Sequence, residues 1–111
     1  MAWFILFACV NRVPQVTDDV FTLSQTVLPD ESREALSEDR ATFAATCSKC
    51  HLLPAPRKHS REEWPRTIDK MRTKHRAKVS PDAEAHILRY MEVAIAWDAK
   101  VREERAARRA E

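Results

Sequence analysis

The chain has 111 residues, six Pro, three Cys and no Gly, where average usage would give roughly eight Gly. With Asn11 the only Asn, left-handed backbone for tight turns is scarce; this excludes a hairpin-rich sheet, a Gly-rich phosphate loop and a Rossmann fingerprint, and leaves a small all-α protein. The net charge of +2 hides an asymmetry: three basic and seven acidic side chains in residues 1–46, ten and three in 49–78, six and seven in 79–111.

In chain order, residues 1–9 open with the apolar run Trp3-Phe4-Ile5-Leu6-Phe7-Ala8. The apolar stretch Met1 to Val10 is ten residues, too few to span a bilayer, and it lacks the basic start of a complete secretory signal. Leu6-Phe7-Ala8-Cys9 resembles a bacterial lipobox, although Phe7 is bulky for that pattern. The segment therefore reads as the remnant of an export signal or lipobox, with a lipidated Cys9 as a membrane tether. Residues 10–31 hold Pro14, Pro29 and scattered Ser and Thr without a sustained period, and read as a linker or extended arm.

The body of the domain is expected over residues 32–101. Ser32 or Ser37 caps a first helix running to Cys47, with Leu36, Phe43 and Cys47 close to one face. Pro54 and Pro56 then break the chain. Ser60-Arg61-Glu62-Glu63 matches a capping box and opens a helix carrying Trp64, Ile68, Met71 and His75 on one stripe. Ser80-Pro81 starts the longest helix, with Ala83, Ile87, Tyr90, Met91, Ala94, Trp97 and Val101 as its apolar stripe. Residues 102–111 continue as a charged helical tail with i,i+4 pairs such as Glu104/Arg108.

The chemistry lies in Cys47-Ser48-Lys49-Cys50-His51, the C-x-x-C-H signature of c-type haem attachment. Two thiols three residues apart on a helical turn reach the two vinyl groups of one haem, and the next residue points its imidazole at the iron. Covalent attachment suits a domain too small to hold a cofactor by burial alone. Two rivals use the same cysteines. A structural zinc site needs four ligands and would have to recruit His59 or His75, since Cys9 is remote. A thioredoxin-type dithiol belongs at the start of a helix in a βαβ setting, which this chain lacks.

Residues 41–96, about half the chain, resemble a single-haem class I cytochrome c domain of the compact bacterial type. Phe43 stands four residues before Cys47, where that family commonly has an aromatic. Helix 80–101 with Tyr90 is similar to the family's C-terminal helix, which crosses the N-terminal one beside Phe43. The resemblance implies a bundle of three to four helices around one covalent haem c, held through Cys47 and Cys50 with His51 as axial ligand. One departure is plain: the usual Gly at the helix crossing is missing, so Ala41, Ala44 or Ala45 would have to admit the close approach.

Met71 is the expected second axial ligand. It lies twenty residues after His51, on a helix that the Pro54/Pro56 loop can carry to the opposite haem face, and its soft thioether favours ferrous iron. Met91, His75, His59, His86 and an open position remain alternatives. On the proximal side a carbonyl of the Leu53–Pro56 loop is expected to accept the His51 Nδ1–H.

These readings describe a one-electron carrier with no catalytic residues, in the periplasm or on the outer face of a bacterial membrane. The basic mid-chain cluster would steer it onto redox partners with an acidic docking surface; nucleic acid is not an expected partner. The alternatives are a haem-based ligand-binding or sensor module with a labile sixth ligand, a haem subunit of a larger membrane redox complex, or a zinc module.

Overall fold

The computed structural model describes residues 13–47 and 55–111, and those stretches are helical without a strand. Four α-helices follow in order: α1 (Asp18–Val27), α2 (Arg33–Cys47), α3 (Glu63–Lys74) and α4 (Pro81–Arg109), with a 3₁₀ turn at Pro56–Lys58 before α3. Among the described residues no helix is long and apolar enough to cross a membrane.

Each helix starts where local chemistry provides a cap. Thr17 Oγ1 accepts from the Val20 N–H at α1, and Ser32 Oγ accepts from Ala35 N at 3.1 Å at α2. Ser60 and Glu63 form the reciprocal capping box: Glu63 N–H donates to Ser60 Oγ at 3.2 Å and Ser60 N–H to Glu63 Oε1 at 3.3 Å. At α4, Ser80 Oγ accepts from Ala83 N at 3.1 Å, with Pro81 as the first helical residue.

Helix α1 falls in the stretch expected to be a linker or extended arm. Asp18 and Asp19 favour its N-terminus, and it buries only Val20 and Ser24. Ser24 is tolerated inside because its hydroxyl donates to the Phe21 carbonyl at 2.6 Å. One apolar and one polar buried residue leave no hydrophobic period to read.

Helix α4 organises the molecule. Its 29 residues span about 43 Å, and α1, α2, α3 and the 3₁₀ turn all pack on it. The core joins Ile87, Tyr90, Met91, Val93 and Ala94 of α4 to Val13, Val20, Leu36, Phe43, Trp64 and Ile68. Val93 is buried although it lies off the expected stripe, because neighbours pack on more than one side of α4. Each large apolar side chain contributes roughly 1.5–3 kcal/mol by leaving water. From Arg102 onward α4 is exposed on every side.

The missing glycines have a visible consequence after α3. Arg76 takes φ 53, the one positive φ of a non-Gly residue among the described positions. That turn lets the His75 and Ala77 N–H groups both return to the Met71 carbonyl, at 3.2 and 3.0 Å. At the α2–α4 crossing, Ala41 and Ala45 face solvent and only Ala44 of the three expected alanines is withdrawn from it. The fully buried small residue is Ala94 on α4.

Candidate functional site

Cys47 is the last residue of α2, and its side chain packs against the core. Burial pushes its thiol up to about 11, so at neutral pH it is a protonated, apolar-facing group rather than a free thiolate. Cys50 and His51 lie outside the described residues, as do Cys9 and Leu53–Pro54.

One turn before Cys47, Phe43 stacks on Tyr90 with ring centroids 5.4 Å apart and planes 27° from parallel. The stack pins the cysteine end of α2 to the first half of α4. The Tyr90 hydroxyl donates to the Pro14 carbonyl at 2.7 Å, and Arg40 Nε donates to the same oxygen at 3.0 Å. Burial raises the Tyr90 phenol above its usual range, so it stays a neutral donor. The segment at Val13–Pro14 is thereby tied to both α2 and α4.

On the far side of the motif, the buried Pro56 is held by Trp64, whose indole N–H donates to the Pro56 carbonyl at 2.9 Å. His59 meets the Trp64 ring edge-on at 5.0 Å. This anchor was not evident from the sequence, where Trp64 reads only as an apolar stripe position. Its signal was the placement of an indole donor in the first turn after a proline-rich loop, where an orphan carbonyl is at hand.

A cleft of about 620 Å³ opens between Ala55–Arg57, which directly follow the motif, and Ala94, Trp97 and Val101 of α4. Its volume lies within the range of roughly 300–1,000 Å³ typical of cofactor and ligand sites. Its lining mixes apolar side chains, Pro56, Trp97 and Val101, with the charged Arg57, Asp98 and Arg105.

The stripe of α3 leaves the core gradually: Trp64 and Ile68 are buried, Met71 is half-buried and His75 is exposed. Met71 is outside the core cluster, and the cleft walls do not include it or Cys47. Met91, by contrast, is 1% exposed and serves as core packing. His86 sits at the α2–α4 interface with Nδ1 2.6 Å from Asp39. Among the described residues no three His, Cys, Asp or Glu side chains are grouped to hold a metal ion, so His59 and His75 are not gathered about Cys47.

The basic mid-chain segment divides into paired and unpaired cations. Arg61 bridges to Glu92, and Arg72 binds Glu84, Asp69 and the Val79 carbonyl. Arg66, Lys70, Lys74, Arg76 and Lys78 are exposed and, among the described residues, form no ion pair. Arg66, Lys70 and Lys74 follow one another at i,i+4 spacing along α3.

No family model matches the chain, and no curated protein or solved structure is significantly similar to it.

Proposed function

We propose that the chain is a monohaem c-type electron carrier, with haem c held through Cys47 and Cys50, His51 as proximal ligand and Met71 as distal ligand. The observation that carries this reading is the start of C-x-x-C-H on the last residue of α2, one turn beyond a Phe43 stacked on Tyr90. A bound haem supplies a one-electron ferric/ferrous couple. Of the chain's own residues, Trp64 holds the Pro56 segment in place, and Trp97 and Val101 would offer apolar contact to a group seated in the cleft. No side chain is asked to move a proton or attack a substrate.

The strip of Arg66, Lys70 and Lys74, which is exposed and forms no ion pair among the described residues, supports docking on acidic redox partners, since such cations steer encounter at long range. Maturation of such a protein places it in the periplasm or on the outer face of a bacterial membrane, with Cys9 as the tether.

One observation favours a second reading. Met71 is half-buried near the end of α3 and outside the core, which suits a sixth ligand that leaves easily, as in a ligand-binding or sensor module. Optical spectra of protein matured with the cytochrome c machinery separate the two. The carrier reading expects a sulfur-to-iron charge-transfer band that disappears in Met71→Ala, and no carbon monoxide binding by the ferrous wild type. An unchanged band in the variant removes Met71 from the site, and tight carbon monoxide binding by wild type establishes the sensor reading instead.

A further inference from the structure

Away from the cysteines, four charged or titratable side chains meet where the α1–α2 turn touches α4. Asp39 of α2 is 0% exposed. Its Oδ1 lies 2.6 Å from His86 Nδ1 and 3.3 Å from Arg89 Nη2, and its Oδ2 lies 3.4 Å from Arg89 Nε. The carboxylate can only accept, so His86 Nδ1 carries a hydrogen, and its 3.1 Å approach to Arg89 Nη2 is not a hydrogen bond. Glu31, in the turn, lies against the same Arg89, with Oε1 3.3 Å from Nε and its side chain 10% exposed.

The remaining oxygen decides the chemistry. Glu31 Oε2 is sealed from solvent and, among the described residues, has no hydrogen-bond partner. A buried, unpaired carboxylate oxygen is costly, and its isolation from solvent means that no surface ligand can reach it. Asp39 Oδ2 and Glu31 Oε1 converge on the same Arg89 Nε, at 3.4 and 3.3 Å, so the two carboxyls are neighbours. With both carboxyls ionised, two negative charges would face one guanidinium, with His86 the remaining group able to carry charge.

We propose that Glu31 and Asp39 share one proton, with the Glu31 carboxyl donating to the Asp39 carboxylate, so that the α1–α2 turn is a pH-sensitive latch on α4. The shared proton supplies the partner that Oε2 lacks and leaves Asp39 and Arg89 as a balanced pair. Loss of that proton to solvent sets Glu31 against Asp39 and loosens residues 28–32 from α4. Burial first, and then the neighbouring Asp39, raise the Glu31 carboxyl to about 7 against an opposing effect of Arg89. The sign follows: a group raised on folding adds stability below its unfolded value of 4.5, and that stability is lost as pH rises to about 7. This inference is independent of the haem reading.

The test compares unfolding of the full chain, wild type and Glu31→Gln, from pH 5 to pH 8. The amide keeps the donor and cannot ionise. The latch predicts that the folded-to-unfolded ratio of Glu31→Gln gains on wild type by a factor on the order of fifty over this range. A parallel pH dependence of the two proteins, or a variant less stable than wild type at pH 8, would overturn it, because ionised Glu31 would then be a favourable partner of Arg89. Carboxyl-carbon NMR of the wild-type protein gives a readout that does not need the variant to fold. Glu31 titrating near neutral pH supports the latch, and titration at the ordinary glutamate value overturns it.

Discussion

Arg76 shows how a single residue answers the lack of glycine. A left-handed position costs a non-Gly residue about 1–2 kcal/mol, and Arg76 accepts it at φ 53 so that α3 can close on the Met71 carbonyl. Arg76→Gly should therefore stabilise the protein by about 1 kcal/mol, a rise in Tm of about 4–8 °C for a domain of this size. Thermal unfolding checks it; an unchanged or lower Tm would mean that the turn holds no strain. Tyr90 is the opposite case, a residue whose tertiary role was partly legible. The resemblance implies that the helix carrying it crosses the first helix beside Phe43, and the two rings stack. Its bond to Pro14, 76 positions away, had no signal in the sequence. Asp39 lay between the two. It falls between Leu36 and Phe43 on the buried face, so helical spacing required either Asp39 or Arg40 to turn inward. Which of the two did so depended on His86 and Arg89, both supplied by α4.

At the scale of elements, the sequence was most informative where a start signal and a period coincide. Ser32, Ser60 and Ser80 each proved to cap a helix, because a side-chain oxygen meeting the first amides is a local event. Helix α1 was missed although Thr17-Asp18-Asp19 carries a start signal, since Val20 and Ser24 together make no apolar stripe. Helix α3 has a buried first half and a cationic exposed face, and that face carries a prediction about encounter. With an acidic redox partner, the association rate should fall as ionic strength rises. Lys70→Glu combined with Lys74→Glu should slow association several-fold at low salt and flatten the salt dependence. Stopped-flow electron transfer measures both, and a salt-independent rate in wild type would show that α3 is only a solvated face.

For the whole molecule, the all-α architecture was legible from composition and capping alone, and the dominance of α4 from its length and stripe. The breadth of its buried face was not, because Val93 is covered only when several elements pack on it. The candidate site is read from a motif: the spacing of Cys47, Cys50 and His51 is that of a haem-attachment signature. The cleft formed by Ala55–Arg57 with Trp97 and Val101 requires the fold, since its walls are about 40 residues apart in sequence. Covalent haem attachment is open to intact-mass analysis under denaturing conditions after expression with the cytochrome c maturation machinery. Wild type should carry the added mass of one haem, retained through denaturation, and Cys47→Ser combined with Cys50→Ser should carry none. A wild-type protein that runs at the mass of the bare polypeptide, or sheds its haem on denaturation, would contradict it.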